Sequence, residues 1–303
     1  MAYPGFEKAR KDNDARGERQ PIRYAGAMAT VSTRRRALIT GASSGIGAAF
    51  ARELARRGHD LVLTARRLDR IEALARELSA AHGIDARAIT ADLADPAAPA
   101  ALKAAIDAEG LAIDVLVNNA GYGVTGSLVS REWATHDAFM RVMIEAPTEL
   151  CWRFVPGMRE RGFGRVINVA SFAGLMPAPA GHTLYAASKS YLIRFTEALA
   201  LENRHHGINV CALCPGFTLS EFHDVTGSRK NVSKMPSWIW LHADDVARVG
   251  IDAVERGEIV RVVGAQYKFI KAFFKLIPDK LALKLIAAYS GNFRVVERGG
   301  EKR

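Results

Sequence analysis

Cysteine is scarce in this chain, with three among 303 residues: Cys151, Cys211 and Cys214. So few thiols exclude a disulfide-stapled fold and point to a reducing compartment. Cys211 and Cys214 stand in C-x-x-C spacing, but a zinc site of that type needs a second ligand pair, which is missing. Buried reduced thiols are expected, and no metal. Long apolar runs are missing too: no stretch reaches the ~18 residues that read as a membrane-spanning helix. No N-terminal apolar segment resembles a secretory signal. A cytoplasmic protein is the expectation. With 49% hydrophobic residues the chain can bury the core of one large α/β domain or two small ones.

Acidic residues are outnumbered only at the two ends. Residues 1–36 hold nine Lys/Arg against four Asp/Glu, and residues 265–303 hold nine against three. The 228 residues between them carry 24 basic and 25 acidic groups, so the net charge of +10 is a property of the ends. No groove-reading element is visible, and nucleic acid is not an expected partner. Residues 1–33 are polar, charged and aperiodic, and read as a disordered leader. Glu7, Asp12, Asp14 and Glu18 argue against a mitochondrial presequence.

From Arg36 onward, short apolar runs alternate with helical patterns. Strands are expected at 37–40, 61–64, 86–90, 113–117, 164–169, 208–213 and 259–263. Helices are expected at 46–57, 68–81, 96–108, 135–158, 184–205 and 243–256. This alternation predicts an α/β fold: a Rossmann-like, doubly wound parallel sheet of seven strands with helices on both faces. Near-continuous apolar strands fit a sheet covered on both sides. The domain is expected over residues 34–264, with any ligand at the carboxyl ends of the strands.

The stretch Thr40-Gly41-Ala42-Ser43-Ser44-Gly45-Ile46-Gly47 is the turn from the first strand into the first helix. Glycine permits a sharp turn and close approach of a pyrophosphate, which the helix N-terminus attracts. Arg66 and Arg67 end the second strand, where an acid would take the ribose 2′-hydroxyl of NAD. Two guanidinium groups suit a 2′-phosphate instead, so NADP(H) is the expected cofactor. Asp92 ends the third strand; it reads either as an acceptor for an adenine amino group, with Leu93 beside the ring, or as a helix cap. Asn118-Asn119-Ala120-Gly121 ends the fourth and is suited to pinning strand ends by side-chain amides. Ser171 follows the fifth strand, and Tyr185 and Lys189 follow it at helical i, i+4 spacing. An ammonium beside a phenol favours the phenolate and makes Tyr185 a usable general acid/base, with Ser171 able to hold the reacting oxygen.

These motifs together resemble the short-chain dehydrogenase/reductase family. Thr40–Gly47, Asn118–Gly121, Ser171, Tyr185, Lys189 and Pro215-Gly216 occur in the family's order over about residues 36–264. The resemblance implies an oxidoreductase with Ser171, Tyr185 and Lys189 as the catalytic residues. It implies a cofactor site of Gly41, Ser43, Ser44, Gly45, Ile46, Gly47, Arg66, Arg67, Asp92, Leu93, Asn119, Ala120 and Gly121, joined by Tyr185, Lys189, Pro215, Gly216 and Thr218. It also implies a dimer or tetramer through the two long helices. One position departs from the family's pattern: the usual Asn of the helix after the fourth strand is Met143, and a thioether cannot replace an amide's hydrogen bonds. An NADP(H)-binding protein without turnover is therefore the alternative, and an epimerase or dehydratase on the same fold is a further rival.

The substrate loops are expected at 121–133, 172–184 and 217–240. Phe172, Leu175, Met176, Pro177, Phe217, Phe222, Met235, Trp238, Ile239 and Trp240 make the expected substrate a small lipophilic carbonyl or alcohol. Residues 265–303 read as a basic amphipathic helical tail. Phe269, Ile270, Phe273, Phe274 and Ile277 share one face, and Lys268, Lys271 and Lys275 the other. Two readings stand for it: packing against the body or a second subunit, or peripheral contact with an anionic membrane surface.

Overall fold

The computed structural model describes residues 34–124, 126–181, 183–219 and 236–290. The chain divides into two units, Met1–Thr33 and Arg34–Arg303, and all the described residues belong to the second. The expected leader, loop residues Phe222 and Met235, and the tail beyond Ser290 lie outside the described residues.

Seven parallel strands form the central sheet of the second unit: β1 Arg36–Thr40, β2 Asp60–Ala65, β3 Ala86–Thr90, β4 Val115–Asn118, β5 Gly164–Val169, β6 Ile208–Cys214 and, last in the chain, β9 Val260–Val262. Their spatial order is β3-β2-β1-β4-β5-β6-β9. The order reverses between β1 and β4, which opens a crevice at their carboxyl ends. Alternation within each strand explains why it is apolar throughout. Ala37, Ile39, Leu61, Leu63, Val115 and Val117 face one layer, while Leu38, Val62 and Leu116 face the other. The first layer is covered by α1 Gly45–Arg56, α2 Leu68–His82 and α7 Ala243–Glu255, through Phe50, Leu54, Ile71 and Ile251. The second is covered by α3 Ala98–Ala108, α5 Ala146–Glu160 and α6 Thr183–Asn203, through Ile106, Phe154 and Ala200. The same alternation puts Cys211 and Cys214 on opposite faces of β6, so they cannot act as a pair. Burial pushes both thiols, and Cys151, up to about 12.

Two elements depart from the sequence reading. The helix expected to run unbroken over 135–158 is interrupted: α4 Trp133–Met140, one π turn at Arg141–Glu145, then α5. Pro147 is the reason, since it has no N–H for the carbonyl four residues back, and its ring crowds that carbonyl. That carbonyl belongs to Met143. A small second sheet was also not foreseen: β7 Thr218–Leu219 pairs in parallel with β8 Leu241–His242 and closes the base of the long loop. Two residues per strand leave no readable alternation. Past β9, α8 Ala265–Leu276 and α9 Asp279–Ser290 follow. Among the described residues no helix is long and apolar enough to cross a membrane.

Candidate active site

The glycine turn sits at the crevice. Gly41 and Gly45 take positive φ of 68° and 55°, a region where a Cβ is strained. Added to Gly41, a Cβ would meet the Ala120 backbone at 2.9 Å. Ser44 is the N-cap of α1, yet no side chain caps that terminus. Its first-turn amides are thus left for a ligand. Thr40 and Asn119 lock β1 to β4. Thr40 Oγ1 accepts from the amides of Asn119 (2.9 Å) and Ala120 (3.0 Å), and the Asn119 amide donates to the Thr40 carbonyl at 2.9 Å. Gly47 is the one expected site residue that does not line the cavity; a Cβ there would collide with the Gly41 carbonyl and the Asn119 amide. Gly47 is needed so that the turn can fold back on its own helix.

Arg67 reaches over the turn and donates to Ser43 Oγ at 2.9 Å and Ser44 Oγ at 3.0 Å. Arg66 is exposed beside it. Both line the cavity, so two cations meet the turn that is shaped for an anion. Asp92 and Leu93 also line it, and Asp92 Oδ1 accepts from the Ala94 amide at 3.1 Å, as in an Asx turn.

At the other end, Lys189 is buried, with 6% of its surface exposed. Its ammonium donates to the Val169 carbonyl at 2.8 Å and lies 5.9 Å from the centroid of the Tyr185 ring. Burial pulls the Lys189 ammonium down to about 8. Ser171 caps the short turn Phe172–Leu175, its Oγ accepting from the Ala173 amide at 3.2 Å. That turn lies directly on α6: a Cβ at Gly174 would meet the Lys189 backbone at 2.6 Å, and Ser190 Oγ donates to the Gly174 carbonyl at 2.7 Å. Gly174 and Ser190 therefore set the spacing between Ser171 and α6. The sequence gives no motif that marks them.

Met143 is buried in the cavity wall, its sulfur packed towards Gly121. Neither Glu145 nor Asn168 stands in for an Asn there. Glu145 is exposed and pairs with Arg141 at 3.4 Å. Asn168 is enclosed below the site, accepting from Asn118 at 2.9 Å and donating to Thr196 Oγ1 at 2.8 Å.

All the other expected site residues line one cavity of about 1200 Å³. Pro215, Gly216 and Thr218 close it beside Lys189, and Phe172, Met176, Phe217, Trp238 and Ile239 form an apolar flank. The tail supplies the rest of that flank through Tyr267, Ile270, Phe274, Leu285 and Ile286. Tyr267 was missed by sequence reasoning. It is 2% exposed, its hydroxyl donates to the Ile239 carbonyl at 2.7 Å and accepts from the Phe217 amide at 2.8 Å. Its ring occupies the space a Cβ would need at Gly216 and packs 4.9 Å from the Phe172 ring. The glycine after Pro215 was the only hint that something large sits there.

Comparison with known proteins points the same way. The family model described as short chain dehydrogenase matches residues 35–231. Oxidoreductase UcpA of Escherichia coli K12 is 37% identical over 203 residues, covering 66% of this chain and 75% of that protein. A short-chain dehydrogenase from Sphingobium yanoikuyae, solved in complex with NADPH, is 31% identical with a TM-score of 0.70, covering 81% of this chain and 97% of that one. The bulky-bulky ketone specific alcohol dehydrogenase from Comamonas testosteroni is 28% identical with a TM-score of 0.67, covering 82% and 96%.

Proposed function

The chain belongs to the short-chain dehydrogenase/reductase family, and from that premise we propose that it is an NADP(H)-dependent enzyme that interconverts a lipophilic carbonyl compound and its alcohol. The observation that carries the proposal is one cavity joining three things: the glycine turn with Arg66 and Arg67, the group Ser171, Tyr185 and Lys189, and an apolar flank. The Sphingobium neighbour's NADPH and the Comamonas neighbour's bulky ketones support the cofactor and the substrate class.

The residues fit the cofactor. The uncapped start of α1 and the Cβ-free surface of Gly41 receive a pyrophosphate, Arg66 and Arg67 a 2′-phosphate, and Lys189 the nicotinamide ribose. When bound, the nicotinamide supplies or accepts the hydride. In the reducing direction Tyr185 gives its phenolic proton to the carbonyl oxygen, and it takes that proton back in the oxidising direction. The Lys189 ammonium stabilises the phenolate that remains, in a site where burial strengthens the attraction. Ser171 Oγ already accepts from Ala173, which leaves its own proton free to bond the substrate oxygen. A homo-oligomer through α5 and α6, whose surfaces expose Trp152 and Tyr191, belongs to the same reading.

Met143 favours a second reading, an NADP(H)-binding protein without turnover. One experiment separates them: oxidation of NADPH and NADH by purified protein across a panel of lipophilic ketones and aldehydes. Turnover with NADPH preferred is expected. Tyr185→Phe should lower kcat by at least about 10²-fold with NADPH binding retained. NADPH binding with no turnover across the panel would move the second reading ahead.

A further inference from the structure

Helix α8 presents three different surfaces. Tyr267, Ile270 and Phe274 point into the cavity. Phe269, Phe273 and Leu276 point away from it and are 76%, 52% and 85% exposed. Lys268, Lys271 and Lys275 take the remaining side. Leu281 and Leu283 of α9 are exposed as well, at 45% and 55%, on different sides of that helix. Over α8 and α9 there are five lysines against one acid, Asp279, and among the described residues none of the five is in an ion pair. Tyr267 holds this pair of helices to the base of the long loop through its two hydrogen bonds.

Large exposed rings beside unpaired cations need an occupant that is apolar and negative at once. A second copy meeting this face with its own would bring two sets of five lysines together. A lipid surface with anionic headgroups supplies acyl chains for Phe269, Phe273 and Leu276 and charge for the lysines. We propose that the outer face of α8 seats on an anionic bilayer. The cavity wall and the membrane face are then two sides of one helix, so a lipophilic substrate passes from the lipid to Ile270 and Phe274 without crossing open water. This entry route rests on the lipophilic-substrate reading; the docking does not.

The test is co-sedimentation of the full chain with vesicles of phosphatidylcholine, with and without phosphatidylglycerol. Binding to the anionic vesicles that weakens with added salt is expected. Phe269→Ser, Phe273→Ser and Leu276→Ser combined should reduce binding at least about tenfold, with the melting temperature and NADPH affinity retained. Lys268→Glu and Lys275→Glu should each reduce it about fivefold. A full chain that stays in the supernatant at low salt overturns the proposal, as does unchanged binding in both sets of variants. Loss of an oligomer in the apolar triple variant, with no vesicle binding by the parent, assigns the face to a second copy and overturns it too. Vesicle binding requires no turnover, so an inactive protein that binds would remove the proposed reaction and keep the docking, and an active one that stays free would do the reverse.

Discussion

Lys189 links burial to chemistry most directly. Its ordinary value of 10.5 is pulled down to about 8 by desolvation, while the unfolded chain keeps the ordinary value. Below about pH 8 the folded chain carries the ammonium that the proposed reaction uses to stabilise a Tyr185 phenolate. Between about 8 and 10.5 the folded chain binds fewer protons than the unfolded one, so this group makes stability rise with pH while its charge is lost from the site. kcat/KM for NADPH should therefore fall above about pH 8 with no parallel drop in melting temperature. A profile flat to pH 10 would take Lys189 out of the proposed role. Arg66 and Arg67 act at the opposite end of the cavity. Replacing both with Ala should weaken NADPH binding at least about tenfold and change NADH binding less than about twofold, measured by fluorescence titration. Equal losses for both cofactors would refute the contact with a 2′-phosphate. The residue types here were legible in the sequence, because phosphate, phenol and ammonium chemistry each demand particular side chains. Gly47 was legible as a glycine but not for its reason, since the atoms that exclude its Cβ come from Gly41 and Asn119.

Among the elements, helix α8 changes most between sequence and structure. Its amphipathic pattern was readable, but a pattern states that a face is apolar and not which surface meets it. Tyr267 decides that question by bonding Phe217 and Ile239, both of which line the apolar flank of the cavity. Tyr267→Phe keeps the ring and removes both bonds. KM for the carbonyl substrate should rise about three- to tenfold with kcat changed less than about twofold, and stability should fall by about 1 kcal/mol. An unchanged KM would mean that the loop is held by other contacts. The break between α4 and α5 has a local cause that was in plain view. Pro147 lies two residues beyond the π turn, and helical periodicity continued across it because the burial pattern of Val142, Met143, Ala146 and Leu150 does.

At the scale of the whole molecule, strand and helix positions, the parallel sheet and the order of motifs were determined by the sequence itself. Strands buried on both faces must be apolar throughout, helices buried on one face must repeat at helical spacing, and the turn into α1 must carry glycine. These are constraints on neighbours in the chain, so they are written locally. Tertiary structure alone decided which distant segments share a surface. It put Cys211 and Cys214 on opposite faces, enclosed Asn168 beneath the site, and folded α8 over the cavity that β1, β4 and β5 open. Such contacts join residues far apart in sequence, as Gly216 and Tyr267 are, and a glycine marks at most that space is needed, not which residue fills it. They depend on shape and exclusion between packed surfaces, which exist only once the chain has folded.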